Sequence, residues 1–200
     1  MISGNRHRWR SATAALALVA AGAAAGAETP AWDIEQLMQG LSKVPAAKGK
    51  FVERKYLAML TAPLDSSGTL VYTAPGRLEK NTLAPKPERL VLDQDKLTLE
   101  YPDRAQRRVL ALQNYPVVWA FVESIRSTLA GDYQTLNRFY RASVAGSEEQ
   151  WRLSLKPVDP KMQSVVQEIR IGGSHNRVRT IEILETQGDR SVMTITEDGP

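Results

Sequence analysis

Two histidines stand out as the residues able to act as a base or a ligand, and neither has the company such chemistry needs. His7 lies between Arg6 and Arg8, and His175 sits in the run Gly172-Gly173-Ser174-His175-Asn176. A serine–histidine–aspartate triad would have to use His175, but no Gly-x-Ser-x-Gly turn is present to expose a nucleophile. His175 therefore reads as a solvated loop residue. The chain has no cysteine, so a zinc site would need an unusual ligand set. Asp93-x-Asp95 has the spacing of a cation-binding pair, but it falls between leucine-rich runs, where a hairpin turn is the expectation. No phosphate-binding or dinucleotide glycine motif occurs. Glu53-Arg54-Lys55 and Arg107-Arg108 read as charged, solvated strand faces. The inventory offers no catalytic residue, no metal ligand and no cofactor, and it points away from an enzyme.

The elements that would position any site change period along the chain. Ile34, Leu37, Met38 and Leu41 fall on one helical face. Asp33 and Gln36 are placed for a capping box, with Trp32 able to staple onto Leu37. Pro45 stops this helix. From Lys48 to Leu112 the period becomes two: Leu70 and Tyr72, Leu90 and Leu92, and Leu97, Leu99 and Tyr101 alternate with polar residues. Turn signals at Asp65–Gly68, Ala74–Gly76, Pro85–Pro87 and Asp93–Asp95 separate the runs, as an antiparallel meander requires. A helix over Tyr115–Ala130 opens on Pro116 and ends at Gly131. A second, capped by Asp132, carries Leu136, Phe139 and Tyr140 on its buried side. Strands resume at Trp151–Leu155, Ile169–Ile171, Ile181–Ile183 and Met193–Ile195, with a short helical turn within Asp159–Val165. Helix, about six strands, two helices and about four strands fit one highly curved antiparallel sheet with helices on its concave side, an α+β fold. A sandwich is the alternative, but it leaves the central helix pair hard to place.

The first 27 residues read as a cleavable export signal. Arg6, Arg8 and Arg10 precede a small, apolar run from Ser11 to Gly26, which closes on Ala25-Gly26-Ala27. The run is too short to span a bilayer. Residues 28–200 are then a single domain, expected in the periplasm. The chain has 26 Lys and Arg against 22 Asp and Glu. Taking away the three signal arginines leaves 23 against 22, too small an excess for a nucleic-acid partner.

What remains is apolar surface. Met59, Leu60, Leu70, Tyr72, Leu92, Leu97 and Leu99 on the strand side could meet Val118, Trp119, Phe121, Val122 and Ile125 of the long helix. They form either a filled core or the lining of a ligand cavity, and the sequence leaves the two open.

From Phe51 onward the chain resembles the LolA-like family of outer-membrane lipoprotein carriers. The resemblance is carried by Phe51 and Glu53, Ser67-Gly68-Thr69-Leu70, Tyr72, Pro75, Leu78, Pro87 and Leu90–Asp93, and it extends more weakly over most of the chain as a divergent branch. It implies an unclosed half-barrel of about ten to eleven strands whose helical lid covers acyl chains of a lipoprotein or lipid, in a monomer. Donor and acceptor proteins at the inner and outer membranes are the implied partners. The family's founding carrier has a lid-linked arginine before the proline; here Ala74 precedes Pro75, with Arg77 nearby. Lys80 replaces a usual aromatic. A sensor or accessory interaction domain on the same fold is the alternative function.

Overall fold

The computed structural model describes residues 32–197; the expected export signal lies outside them. Helix α1 (Ile34–Leu41) opens on the capping box: the Gln36 backbone N–H donates to the Asp33 carboxylate, and the Asp33 N–H donates to the Gln36 side chain. Trp32 packs against the cluster that buries Leu37, Met38 and Leu41.

Six strands follow in a meander: β1 (Ala46–Tyr56), β2 (Leu64–Thr73), β3 (Arg77–Ala84), β4 (Glu88–Asp93), β5 (Lys96–Tyr101) and β6 (Gln106–Ala111). The chain then makes α2 (Pro116–Ala130) and α3 (Tyr133–Phe139). A second meander comprises β7 (Tyr140–Gly146), β8 (Trp151–Pro157), β9 (Val166–Ser174), β10 (Arg177–Glu185) and β11 (Arg190–Glu197). A single helical turn, α3's small counterpart α4 (Pro160–Gln163), interrupts it between β8 and β9.

All eleven strands belong to one antiparallel sheet in the order β6-β5-β4-β3-β2-β1-β11-β10-β9-β8-β7. β1 and β11 pair at its centre, with Phe51 opposite Ile195 and Glu53 opposite Met193. The order explains the curvature. β6 and β7 are the two edges, and α2 and α3 are the chain that joins them. Eleven flat strands at a spacing of about 4.8 Å would hold the edges roughly 48 Å apart. The 15 residues of α2 reach only about 22 Å, and the 7 of α3 only about 10 Å. With its six connecting residues stretched out, the segment would only just reach. But α2 and α3 pack against each other and are not strung end to end, so the sheet curls and the helices lie across the hollow side.

The half-barrel and its two covering helices agree with the sequence expectation, with one correction to the elements. Tyr140, expected on the buried side of α3, opens strand β7 instead, so five strands follow the helices. Its hydroxyl donates to the Ala120 carbonyl at 2.9 Å, and its backbone is extended at φ −138°. The strand it begins, Arg141-Ala142-Ser143-Val144-Ala145, has no second bulky residue to mark the period of two.

Burial is uneven across the concave face. One wing is a solid core: Trp151, Leu153, Leu155, Ile169 and Ile171 on β8 and β9, with Leu37, Leu41, Leu136 and Tyr140, are all within 2% of full burial. The other wing is a smaller core of Leu92, Leu97, Leu112 and Val122. Gly131 locks the α2–α3 corner onto α1. Its φ of +66° is the left-handed cap that ends α2, and a Cβ there would lie 2.2 Å from the Met38 carbonyl oxygen.

Candidate functional site

Between the two wings the concave face is hollow. A cavity of about 770 Å³ lies beneath α2, within the size range of ligand sites. Leu70, Leu78, Leu90, Ile181, Ile183, Met193 and Ile195 line its floor. They alternate as regularly as the residues of β8 and β9, yet each remains half-exposed, because the helix above does not descend onto them.

The composition of α2 explains why it stands off. Its most buried side chains are Glu123, Ser124, Ser127 and Thr128, each at 2% exposure or less. Ser124 and Thr128 spend their hydroxyls on the carbonyls of Phe121 and Ser124. Glu123 accepts from Trp119 Nε1 at 3.0 Å, Ser127 Oγ at 3.1 Å and the Arg126 guanidinium. The apolar Val118, Phe121, Ile125 and Leu129 are left to roof the cavity, half-exposed.

Among these apolar walls lies a polar cluster that the sequence did not suggest. Glu53, expected on a solvated face, stands inside, because strand alternation puts it on the side of Phe51. Its carboxylate accepts from Lys80 Nζ at 2.5 Å and Ser191 Oγ at 2.7 Å. The Lys80 ammonium also lies 4.9 Å from the centre of the Phe51 ring. Gly68 makes that arrangement possible, since a Cβ there would meet the Phe51 ring edge at 2.9 Å and the Asn81 carbonyl oxygen at 1.9 Å. Burial by itself would raise the Glu53 pKa. The charge and hydrogen bond of Lys80, the hydroxyl of Ser191 and the charge of Lys55 outweigh it and hold the carboxyl below its ordinary value. Burial pushes the Tyr72 phenol up and keeps it neutral.

Of the residues singled out from sequence, Leu70, Tyr72, Leu92, Leu97, Val118, Phe121, Val122 and Ile125 come together around the cavity. Four do not. Met59 and Leu60 occupy the β1–β2 connection, where Met59 is 87% exposed. Leu99, near the end of β5, is outside the lining. Trp119 faces away: its indole N–H is held by Glu123 and its ring leans on Phe139 at 6.0 Å. Helical spacing groups Trp119 with Val118 and Val122, but it cannot show that the buried Glu123 turns the indole outward. Ile181, Ile183, Met193 and Ile195, whose alternation was legible, were missed as lining because the sequence does not reveal that β11 returns beside β1.

His175, in the β9–β10 turn, touches the Ser174 hydroxyl through Nδ1 at 3.0 Å, and its carbonyl accepts from Trp151 Nε1. Asp93 and Asp95 flank the β4–β5 hairpin turn, where Asp93 pairs with Arg77. Among the described residues, no group of three or more histidine, aspartate or glutamate side chains could hold a metal ion.

The family profile described as outer membrane lipoprotein carrier protein LolA-like matches residues 23–197, nearly the whole chain. The chain belongs to the LolA-like family. A comparison with curated proteins gives no match. Among solved structures, a LolA superfamily protein from Nitrosomonas europaea is 10% identical, with a TM-score of 0.43 over 85% of this chain and 96% of that one. A DUF1329 family protein from Desulfovibrio piger is 10% identical, with a TM-score of 0.46 over 82% and 88%. The Pseudomonas aeruginosa MucA/MucB complex gives 13% identity and 0.45 over 83% of this chain and 57% of the matched one. Family membership rests on the sequence match.

In this LolA-like chain the hydrogen bond between the covering helix and the sheet rim does not come from the side chain of Ala74 or Arg77. Ala74 has no side chain to reach α2. Arg77 is committed to Glu79 at 2.8 Å and Asp93 at 2.6 Å, on the strand face opposite Leu78 and Lys80. The tie comes from the helix side instead. Arg126 of α2, gripped by Glu123, donates to the Gln94 carbonyl in the β4–β5 turn at 2.9 Å.

Proposed function

We propose that this protein is an exported, non-catalytic carrier that takes the acyl chains of a lipoprotein or lipid into the hollow between sheet and α2 and hands them on. The observation that carries this reading is the apolar cavity of about 770 Å³ flanked on both sides by well-packed cores. An unfilled gap of that size exposes apolar side chains on both sheet and helix without recovering their contacts, which is costly unless a ligand fills it. Each methylene kept out of water is worth about 0.8 kcal/mol, in the bilayer as in the hollow, so an apolar cavity can offset the cost of withdrawing a chain from a membrane. A lid joined to the sheet rim by Arg126 allows release. Family membership supports a carrier role, and the export signal read in residues 1–27 supports a periplasmic location.

Native mass spectrometry and solvent extraction of the protein purified from its own cell envelope test the reading. The expected result is a co-purifying acyl species, released on denaturation. Recovery of none, together with no uptake of a neutral hydrophobic dye, would favour an accessory interaction domain.

A further inference from the structure

Resting on the carrier reading, the geometry points to Lys80, Glu53 and Ser191 as a polar subsite that selects ester- or amide-linked acyl chains over free carboxylates. The cluster lies on the cavity floor: Lys80 pairs with Leu70 on one side and Leu90 on the other, and Glu53 with Met193. Both partners are largely covered, with 27% and 19% of their side-chain surface exposed.

The hydrogen-bond inventory sets what a ligand must bring. An ammonium carries three donors, and the hydrogen bond of Lys80 within the protein goes to Glu53. Ser191 spends its proton on Glu53 as well. The unspent capacity of the cluster therefore lies mainly in Lys80 donors. An acyl chain that fills the cavity strips those donors of water, and a buried ammonium donor without an acceptor is costly. The ligand has to supply an acceptor at that depth.

Charge decides which acceptor. Lys80 and Glu53 already neutralise each other. An atom accepting from the same ammonium as Glu53 comes within roughly 5 Å of its carboxylate. An ester or amide carbonyl satisfies Lys80 and leaves the sum at zero. A fatty-acid carboxylate would bring a second negative charge into an apolar site, where like charges oppose each other strongly. Glu53 thus acts as the repulsive element of the selection, and Lys80 as the attractive one.

Displacement of Nile red from the full chain by palmitoylglycerol and by palmitate, both below their aggregation concentrations, tests this at pH 8. We expect the ester to bind tighter by on the order of tenfold, the scale of one charge-assisted hydrogen bond. Lys80→Met should weaken the ester, which loses its donor, while Glu53, now without its counter-charge, keeps palmitate disfavoured. Glu53→Gln, which leaves the Lys80 charge unmatched, should tighten palmitate and close the gap or reverse it. Equal binding of the two ligands by the wild type, or a preference unchanged in Glu53→Gln, would overturn the proposal. If a variant does not fold, palmitate binding to the wild type decides: its affinity should rise towards that of the ester as acid protonates its carboxylate, and a flat profile counts against the subsite. Failure of Nile red and of both ligands to bind is a separate result, which removes the carrier reading itself.

Discussion

Glu53 belongs by sequence to a charged triplet and by structure to the inside of the molecule. The signal that could have placed it was its distance of two residues from Phe51, since both must share a face. The neighbouring Arg54 and Lys55 obscured it. Because its pKa is lowered from 4.5 in the folded chain, its contribution to stability is present above that ordinary value and is lost as pH falls through the lower folded one. Glu53→Gln leaves Lys80 without its counter-charge and should destabilise the protein by roughly 1–3 kcal/mol at pH 7. That difference should shrink when urea unfolding is repeated below pH 4.5. Asp65, Glu79 and Glu168 are lowered too, so the variant should soften the acid limb without abolishing it. A gap that stays constant with pH would mean that Glu53 is not charged in the folded protein.

At the scale of elements, α2 was legible as a helix from Pro116, its apolar spacing and Gly131, and its role as cover followed. Its orientation was not. Apolar periodicity assigns the most buried face to Val118, Val122 and Ile125, whereas the helix buries Glu123, Ser124, Ser127 and Thr128 most deeply. Hydrogen bonds one turn apart within the helix make that possible, since Glu123 accepts from Trp119, Arg126 and Ser127 while Ser124 and Thr128 donate to backbone carbonyls, and apolar periodicity does not register them. The Arg126–Gln94 tie gives this a consequence. Arg126→Met removes the tie and leaves Glu123 buried without its cation, a loss on the order of 1–3 kcal/mol. Amide hydrogen exchange should quicken in α2 more than in β8 and β9, and a bound acyl probe should leave about tenfold faster. A uniform increase across the sheet would instead mean that Arg126 supports general stability and does not hold the lid.

For the molecule as a whole, the solid core and the candidate cavity occupy different places on one concave face. Leu153 is fully buried in the solid wing, so Leu153→Ala should cost about 2–5 kcal/mol. Leu70 borders the cavity and is already half-exposed. Leu70→Ala should therefore cost less than half as much while weakening acyl binding, and Leu70→Trp should block the cavity with little loss of stability. Chemical denaturation paired with dye binding checks both, and equal stability losses at the two leucines would mean that the hollow is closed in solution. The sequence by itself determined the paired helices between two meanders and every strand but β7, because these follow from local periodicity and residue type. It also carried the family resemblance. Only the tertiary structure decided that β11 returns beside β1, that α2 stands off the central strands, and that Glu53 meets Lys80 and Ser191 inside. Those features depend on contacts between residues up to 138 positions apart, and the period of a strand fixes which side chains share a face without fixing what, if anything, covers them.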